Sequence, residues 1–220
     1  MSWKKEISQI KLREKLAKQQ GGSEAVKVQH DKGRLTLRER IDLLLDKDSF
    51  DEIGKVAGGA EYDDEGNLLS LTPANFILGF GKIEGQDVIV GGEDFTVKGG
   101  SPNAAGLRKS VYTEDLAVKH KFPLVRLHEG GGGSVAGPSK EKKGYGGDPV
   151  FARSRFKSVA QTLKEVPVVS AALGPVAGLP ASRFVGSHFR IMVKDNAQIL
   201  VAGPAVVSRA FGKDFTKEEL

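Results

Sequence analysis

The residues best suited to chemistry form a run of small residues, Gly174-Pro175-Val176-Ala177-Gly178-Leu179-Pro180. A buried apolar strand is predicted before this run, and a helical segment is predicted to begin near Ala181. Backbone N–H groups are exposed at such a junction, where the start of a helix favours negative charge. Small residues also let a ligand approach the main chain closely. The run indicates an anion site, although composition alone favours a tight glycine turn.

A second glycine-rich segment covers residues 130–147. Residues 131–136 fit a loose dinucleotide-binding pattern, but that reading requires an acidic residue at the end of the next strand, which ends instead at Leu173-Gly174-Pro175. A serine-hydrolase elbow would need glycine two residues after Ser134, where alanine stands. We therefore interpret the segment as an active-site loop of neither class.

Other reactive groups are sparse. The chain has no cysteine, which excludes disulfides, thiolate metal sites and a cysteine nucleophile. No histidine stands three or four residues from another, and no Gly-Lys-Ser/Thr sequence occurs, so neither a local metal site nor a Walker loop is predicted. We expect no metal in this chain.

The charge balance points to an anionic partner. The net charge is +5, which suits either nucleic acid or a phosphorylated cofactor. Aromatic residues make up only 7%, and none alternate with basic residues, so nucleic acid is not expected. No apolar run approaches the roughly 18 residues of a membrane span, and the charged start does not resemble a secretory signal. We expect a cytoplasmic protein without a membrane partner.

Apolar spacing predicts the elements that would position these segments. Residues 3–17 favour a helix ended by Gly21-Gly22, and a capping box at Thr36 and Glu39 begins another. Further helices are predicted at 113–121 and at 150–166, the latter with Phe156, Val159, Ala160 and Leu163 on its apolar face. Strands are predicted at residues 75–80, 87–90, 95–97, 123–127, 168–173, 189–193 and 198–201.

Strands alternating with helices indicate a mixed α/β fold. We divide the chain into a helical amino-terminal extension, residues 1–70, and an α/β domain, residues 71–220.

Four blocks, in order, resemble the carboxyltransferase (beta) subunit of biotin-dependent acyl-CoA carboxylases. They are residues 34–46 (RLTLRERIDLLLD), 90–101 (VGGEDFTVKGGS), 174–180 (GPVAGLP) and 201–207 (VAGPAVV). The resemblance runs from about Leu35 to the last residue. It implies a crotonase-like fold of repeated β-β-α units, which makes residues 71–220 an acyl-CoA-binding domain.

The resemblance also implies a reaction and its site. The family transfers a carboxyl group from carboxybiotin, carried on a partner protein or domain, to an acyl-CoA. Its oxyanion hole implies backbone N–H donors at Gly178 and Leu179, with Gly131, Gly132, Gly133, Ser134 and Ala177 binding the acyl-CoA. Implied partners are a biotin carboxylase or biotin carrier subunit and other copies of the chain, joined through a carboxy-terminal domain that this sequence lacks.

Two departures and two alternatives accompany the resemblance. Leu179 stands where the family has glycine, which narrows the pocket, and Ser134 stands where many members have arginine. Because no biotin-side loop is recognisable, we expect the chain alone to be inactive. The alternatives are another crotonase-type enzyme, a hydratase or decarboxylase with Glu129 or Asp148 as its carboxylate, and a non-catalytic CoA-binding fragment.

Overall fold

The protein is described here from a computed structural model that covers residues 3–132, 154–216 and 219–220. Its helices within those ranges are α1 Lys4–Lys18, α2 Ser23–Asp31, α3 Leu37–Leu44, α4 Ala104–His120, α5 Arg155–Glu165, α6 Leu179–Val185 and α7 Pro204–Phe211, with a 3-10 turn at Lys98–Gly100. Its strands are β1 Asp51–Glu52, β2 Gly58–Tyr62, β3 Leu68–Pro73, β4 Phe76–Ile83, β5 Gln86–Glu93, β6 Leu124–Gly130, β7 Val168–Ala177, β8 Phe189–Met192 and β9 Gln198–Leu200.

One mixed sheet dominates the fold. Its strand order is β1-β4-β5-β6-β7-β8, and β9 also pairs with β7. β1–β4 and β4–β5 are antiparallel, whereas β5–β6, β6–β7, β7–β8 and β7–β9 are parallel. β2 and β3 form a separate hairpin. Because β6 and β7 are parallel neighbours, the segments after their carboxyl ends emerge at the same edge of the sheet.

Two apolar clusters lie on opposite faces of the sheet. Successive residues of β4 alternate between them, with Ile77 in the cluster formed with α3 and Leu78 in the cluster formed with α4. Leu37 and Ile41 bring the apolar stripe of α3 onto the first face. Leu116 packs α4 against the second face. This alternation is the period-two pattern of a strand buried on both faces.

Several predicted elements are confirmed and others are corrected. The helix at the start and the Thr36–Glu39 capping box are present, and Glu39 N–H donates to Thr36 Oγ1 at 3.4 Å. The predicted strand at 95–97 is wrong, because the Asp94 carboxylate accepts from the N–H and the hydroxyl of Thr96 and turns the chain. The predicted helix at 113–121 begins nine residues earlier, at Ala104, because Asn103 caps the N–H of Gly106.

The apolar face predicted for α5 is wrong in part. Phe156 is 67% exposed and Ala160 is also exposed, while Val159 and Leu163 are half-buried. Ser158 and Thr162 occupy the most buried positions of the helix instead, and the Thr162 hydroxyl donates to the Ser158 carbonyl. This side-chain-to-backbone bond satisfies a hydroxyl that would otherwise be costly to bury.

The amino-terminal segment is helical only as far as Leu44, and β1, β2 and β3 lie between residues 51 and 73. The division of the chain at residue 70 remains a prediction.

Candidate functional site

The two glycine-rich segments singled out in the sequence meet at the carboxyl ends of β6 and β7. Gly132 has a φ of +72°, and a Cβ atom placed on it would lie 2.8 Å from the Ala177 carbonyl oxygen and 3.4 Å from the Gly178 nitrogen. Only glycine permits both this conformation and this approach. Gly131 precedes the contact, and its N–H donates to the Gly99 carbonyl at 2.9 Å. Gly133, Ser134 and Asp148 lie outside the described residues.

The turn after β7 leads directly into α6. Gly178 has a φ of +67° and a ψ of −130°, and it precedes the first helical residue, Leu179. The helix therefore starts two residues before the predicted start at Ala181. The first N–H groups of a helix have no acceptor within it, so the Leu179 N–H has no partner inside α6. The Gly178 N–H donates to the Leu200 carbonyl at 3.2 Å, so it would have to leave this acceptor to contribute to an oxyanion hole.

A cavity of about 130 Å³ lies beside this turn. Its apolar lining includes Phe76, Pro102, Leu107, Leu179 and Pro180, and Gly132 borders it as well. Leu179 itself is thus one of the residues that line the cavity. This placement supports the sequence-based expectation that a leucine here narrows the pocket.

Buried charges form the polar part of the lining and the layer beneath it. Arg183 lines the cavity, and its Nε donates to Glu114 Oε1 at 2.8 Å. Arg126 donates to the same oxygen at 2.6 Å, and all three side chains are at most 5% exposed. Burial lowers the pKa of Arg126 to about 10, although Glu114 opposes that shift. The network is a buried ion triad whose geometry fixes α6 against α4 and β6.

A second buried pair joins β5 to β6 next to this triad. Glu93 Oε2 lies 3.1 Å from His128 Nδ1, and Glu93 also lines the cavity. Burial alone would raise the pKa of Glu93, but the charge and hydrogen bond of His128, together with the charge of Arg183, give a net lowering. Glu93 is therefore an anion in the folded protein at neutral pH.

The Glu129 carboxylate lies outside the cavity lining, in a separate ion cluster. Its carboxylate accepts from Arg34 at 3.1 Å and from Gln29 at 2.8 Å, and it lies 2.5 Å from Arg40. The side chain is 1% exposed and does not line the cavity. Glu129, one of the two carboxylates considered for a hydratase or decarboxylase, thus forms a structural ion cluster between the amino-terminal helices and β6.

Within the described residues, no group of three or more histidine, aspartate or glutamate side chains could hold a metal ion. None of the described helices combines the length and apolarity needed to cross a bilayer.

Comparison with known proteins decides the family. A model of the carboxyl transferase domain matches residues 28–220. The chain belongs to the carboxyl transferase family. It is 33% identical over 216 residues to the propionyl-CoA carboxylase beta chain of Roseobacter denitrificans, covering 97% of this chain and 41% of that relative. It is 32% identical over 211 residues to the methylmalonyl-CoA decarboxylase subunit alpha of Veillonella parvula, covering 95% and 40%. The chain thus spans about two fifths of the length of these relatives.

Solved structures confirm the predicted crotonase-like carboxyltransferase fold. The transcarboxylase 12S hexamer with methylmalonyl-coenzyme A and methylmalonic acid bound superposes with a TM-score of 0.74 at 25% identity, covering all of this chain and 41% of that one. A single-chain, multi-domain long-chain acyl-CoA carboxylase gives a TM-score of 0.78 at 26% identity, covering 98% and 22%.

The sequence predictions did not include the charged residues of the site. Glu114, Arg126 and Arg183 carried no local motif, Glu93 was noted only as part of the 90–101 block, and His128 was given no role at this site. Their partners are distant in sequence, 69 residues in the case of Glu114 and Arg183. The only available signal was the position of Arg183 four residues after Leu179, which places both on one face of a helix that starts at the predicted site.

Proposed function

We propose that this chain binds an acyl-CoA thioester and stabilises its enolate for carboxylation, as the acyl-CoA side of a carboxyltransferase site. The observation that carries the proposal is the approach of Gly132 to the Ala177–Gly178 backbone beside a cavity. A thioester carbonyl at this turn would lie next to the Leu179 N–H. Gly131, Gly132 and Ala177 are proposed to bind the CoA ester there, and the same role for Gly133 and Ser134 stays a prediction from the sequence. This arrangement matches what the reaction needs from the chain.

In this reaction the proposed role of the chain is electrostatic. The α-proton of a thioester is very weakly acidic, so negative charge must be stabilised on the carbonyl oxygen as the proton leaves. A preorganised backbone N–H does this without a titrating side chain, and the Leu179 N–H at the start of α6 is such a donor. The Gly178 N–H is the second proposed donor, once it leaves the Leu200 carbonyl. Biotin, as carboxybiotin on a partner, would supply the carboxyl group and accept the α-proton.

The side chains around the turn position these backbone groups. The Arg183–Glu114 pair holds α6, and the Glu93–His128 pair holds the strand that leads to Gly132. None of the described site residues binds biotin in this proposal, so the chain's own part in the reaction ends with the enolate.

The assembly and location follow from the same proposal. The transcarboxylase 12S structure describes a hexamer assembly and substrate binding to a multienzyme core, which supports homo-oligomers of this chain and a biotin carboxylase or biotin carrier subunit as partner. We propose a cytoplasmic location, or the mitochondrial matrix if the source is eukaryotic.

Calorimetry with CoA and propionyl-CoA tests the proposal. We expect both ligands to bind the folded chain, propionyl-CoA more tightly, with affinity falling as salt is raised because phosphates contribute to binding. If neither binds at millimolar concentration in low salt, while circular dichroism shows a folded chain, the proposal is wrong.

A decarboxylase is the second candidate, because one relative is a methylmalonyl-CoA decarboxylase subunit. Decarboxylation of a malonyl-type thioester yields the same enolate, so it needs the same backbone donors. Release of CO2 from methylmalonyl-CoA, measured against carboxylation of propionyl-CoA with the biotin partner added, distinguishes the two directions. A hydratase is less compatible, because Glu129 is sequestered by Arg34 and Arg40.

A further inference from the structure

The chain runs past the last paired residue of β6, Gly130, before it reaches the turn that begins α6. Two hydrogen bonds from the segment around the 3-10 turn hold it there. The Gly131 N–H donates to the Gly99 carbonyl at 2.9 Å, and the Ser101 hydroxyl donates to the Gly132 carbonyl at 2.7 Å. Of these two bonds, only the second is made by a side chain, so it is the one that a substitution can remove.

The bond from the Ser101 hydroxyl joins two distant segments and does not close a local turn. The N–H of Ser101 completes the 3-10 turn by donating to the Lys98 carbonyl at 3.1 Å, and the cap of the following helix, α4, is Asn103. The partner of the hydroxyl, Gly132, lies 31 residues away in sequence. The local structure around Ser101 is therefore complete without its hydroxyl.

The backbone of Ser101 is fixed on both sides. The buried Asn75 side chain donates from Nδ2 to the Ser101 carbonyl, and its Oδ1 accepts from the Asn103 N–H at 3.1 Å. Gly100 packs against the end of β6, since a Cβ atom placed on it would lie 2.7 Å from the Glu129 carbonyl oxygen. The hydroxyl thus extends from a fixed backbone, and its hydrogen bond fixes the partner carbonyl relative to the sheet.

Ser101 acts on the cavity indirectly. It is half-buried and does not line the cavity, whereas its neighbours Gly100 and Pro102 do. Its partner Gly132 borders the cavity and approaches the Ala177–Gly178 backbone. Glycine has the greatest backbone freedom of any residue, so a hydrogen bond to the Gly132 carbonyl removes rotation that the residue would otherwise retain.

We propose that Ser101 is a positioning residue of the acyl-CoA site: its hydroxyl holds the Gly132 carbonyl and thereby keeps Gly132 in place for a bound thioester. This inference rests on the proposed function, because it assumes that the thioester binds at the Leu179 turn. It goes further by assigning a role in substrate binding to a side chain outside the cavity lining.

Calorimetry of three variants with CoA and propionyl-CoA tests the inference. Ser101→Ala removes the hydroxyl and Ser101→Thr keeps it. The backbone at this position, with φ −63° and ψ +122°, is extended, so both replacements can adopt it. The control is Thr36→Ala, which removes the cap of α3 outside the cavity lining and lowers the stability of the fold.

The expected loss is confined to the thioester. Ser101→Ala should bind propionyl-CoA about three- to tenfold more weakly, the effect of one hydrogen bond, while its affinity for CoA, which has no thioester carbonyl, changes by less than about twofold. Ser101→Thr should bind both ligands as the unmodified chain does. Thr36→Ala should do the same, although urea titration shows it to be less stable.

The outcomes separate this inference from the proposed function. If the unmodified chain binds neither ligand, the proposed function is wrong and this inference fails with it. If it binds both, this inference alone is overturned by full propionyl-CoA affinity in Ser101→Ala, by an equal loss for CoA, or by the same loss in Ser101→Thr or Thr36→Ala. Should Ser101→Ala fail to fold, a crystal structure of the unmodified chain with propionyl-CoA decides. A Ser101 hydroxyl within about 3.0 Å of the Gly132 carbonyl oxygen, beside the bound thioester, supports the inference, and a hydroxyl bonded elsewhere overturns it.

Discussion

Substitution of Gly132 by alanine is the sharpest test of the backbone site. The new Cβ would lie 2.8 Å from the Ala177 carbonyl oxygen, whereas ordinary contacts begin at 3.4 Å, so the two segments must separate by about 0.6 Å (3.4 − 2.8). The φ of +72° adds a cost of roughly 1–2 kcal/mol for an L-residue. A ligand that binds only the unshifted backbone would then bind about 5–30-fold more weakly.

Gly66→Ala, in the turn between β2 and β3 and outside the cavity lining, is the matched control for this substitution. Gly66 has a φ of +82°, and a Cβ at that position would meet no described atom within 4 Å, so the variant carries the backbone cost without a steric contact. We expect calorimetry to show propionyl-CoA binding weakened in Gly132→Ala and nearly unchanged in Gly66→Ala, and urea titration to show the larger loss of stability in Gly132→Ala. Equal affinity of Gly132→Ala and the unmodified chain would refute the assignment of this contact to the site.

Three further predictions concern the oxyanion donor, the ion cluster and a buried lysine. In the assembled enzyme, Leu179→Pro removes one proposed donor and should lower the carboxylation rate about 10²–10³-fold, whereas Leu179→Gly keeps the N–H and should stay active. A full carboxylation rate for Leu179→Pro would contradict the assignment of this N–H to the oxyanion hole. Glu129→Gln leaves two buried guanidinium groups without their carboxylate and should lower the free energy of unfolding by about 3 kcal/mol in urea titrations, while Glu165→Gln, at an exposed pair, should leave the midpoint unchanged. Burial lowers the pKa of Lys109 to about 8, although the negative charge of Glu52 opposes that shift. Between pH 8 and the ordinary lysine pKa of 10.5, the unfolded state therefore binds more protons than the folded state, and the free energy of unfolding should rise with pH. Lys109→Met should abolish that rise, and an equal rise in both proteins would refute it.

The parts of the fold that depend on local sequence were predictable. The capping box at Thr36 and Glu39 is complete within four residues, and it is present in the structure. The Gly178 turn was predicted because glycine and proline mark the end of an apolar strand, although β7 continues through Gly174 and Pro175 to Ala177. β7 extends because residues 175–177 pair with β9, a contact that lies more than 20 residues away in sequence.

The charged lining of the site depends on contacts that a single sequence does not display. The local sequence predicts that Arg183 is a surface residue of a short helix, since arginine is mostly exposed in proteins. It is buried because Glu114, on a helix that packs against the other side of the same pocket, neutralises it. The sequence likewise indicates no partner for His128, because its partner Glu93 lies on the neighbouring strand.

The departure at Leu179 is consistent with a backbone mechanism. Every residue except proline supplies an N–H, so replacing the family's glycine by leucine leaves the proposed donor in place. The change acts on the cavity instead, because Leu179 is one of its lining residues. We therefore expect Leu179, which departs from the family pattern, to restrict the acyl group, while the main chain sets the chemistry.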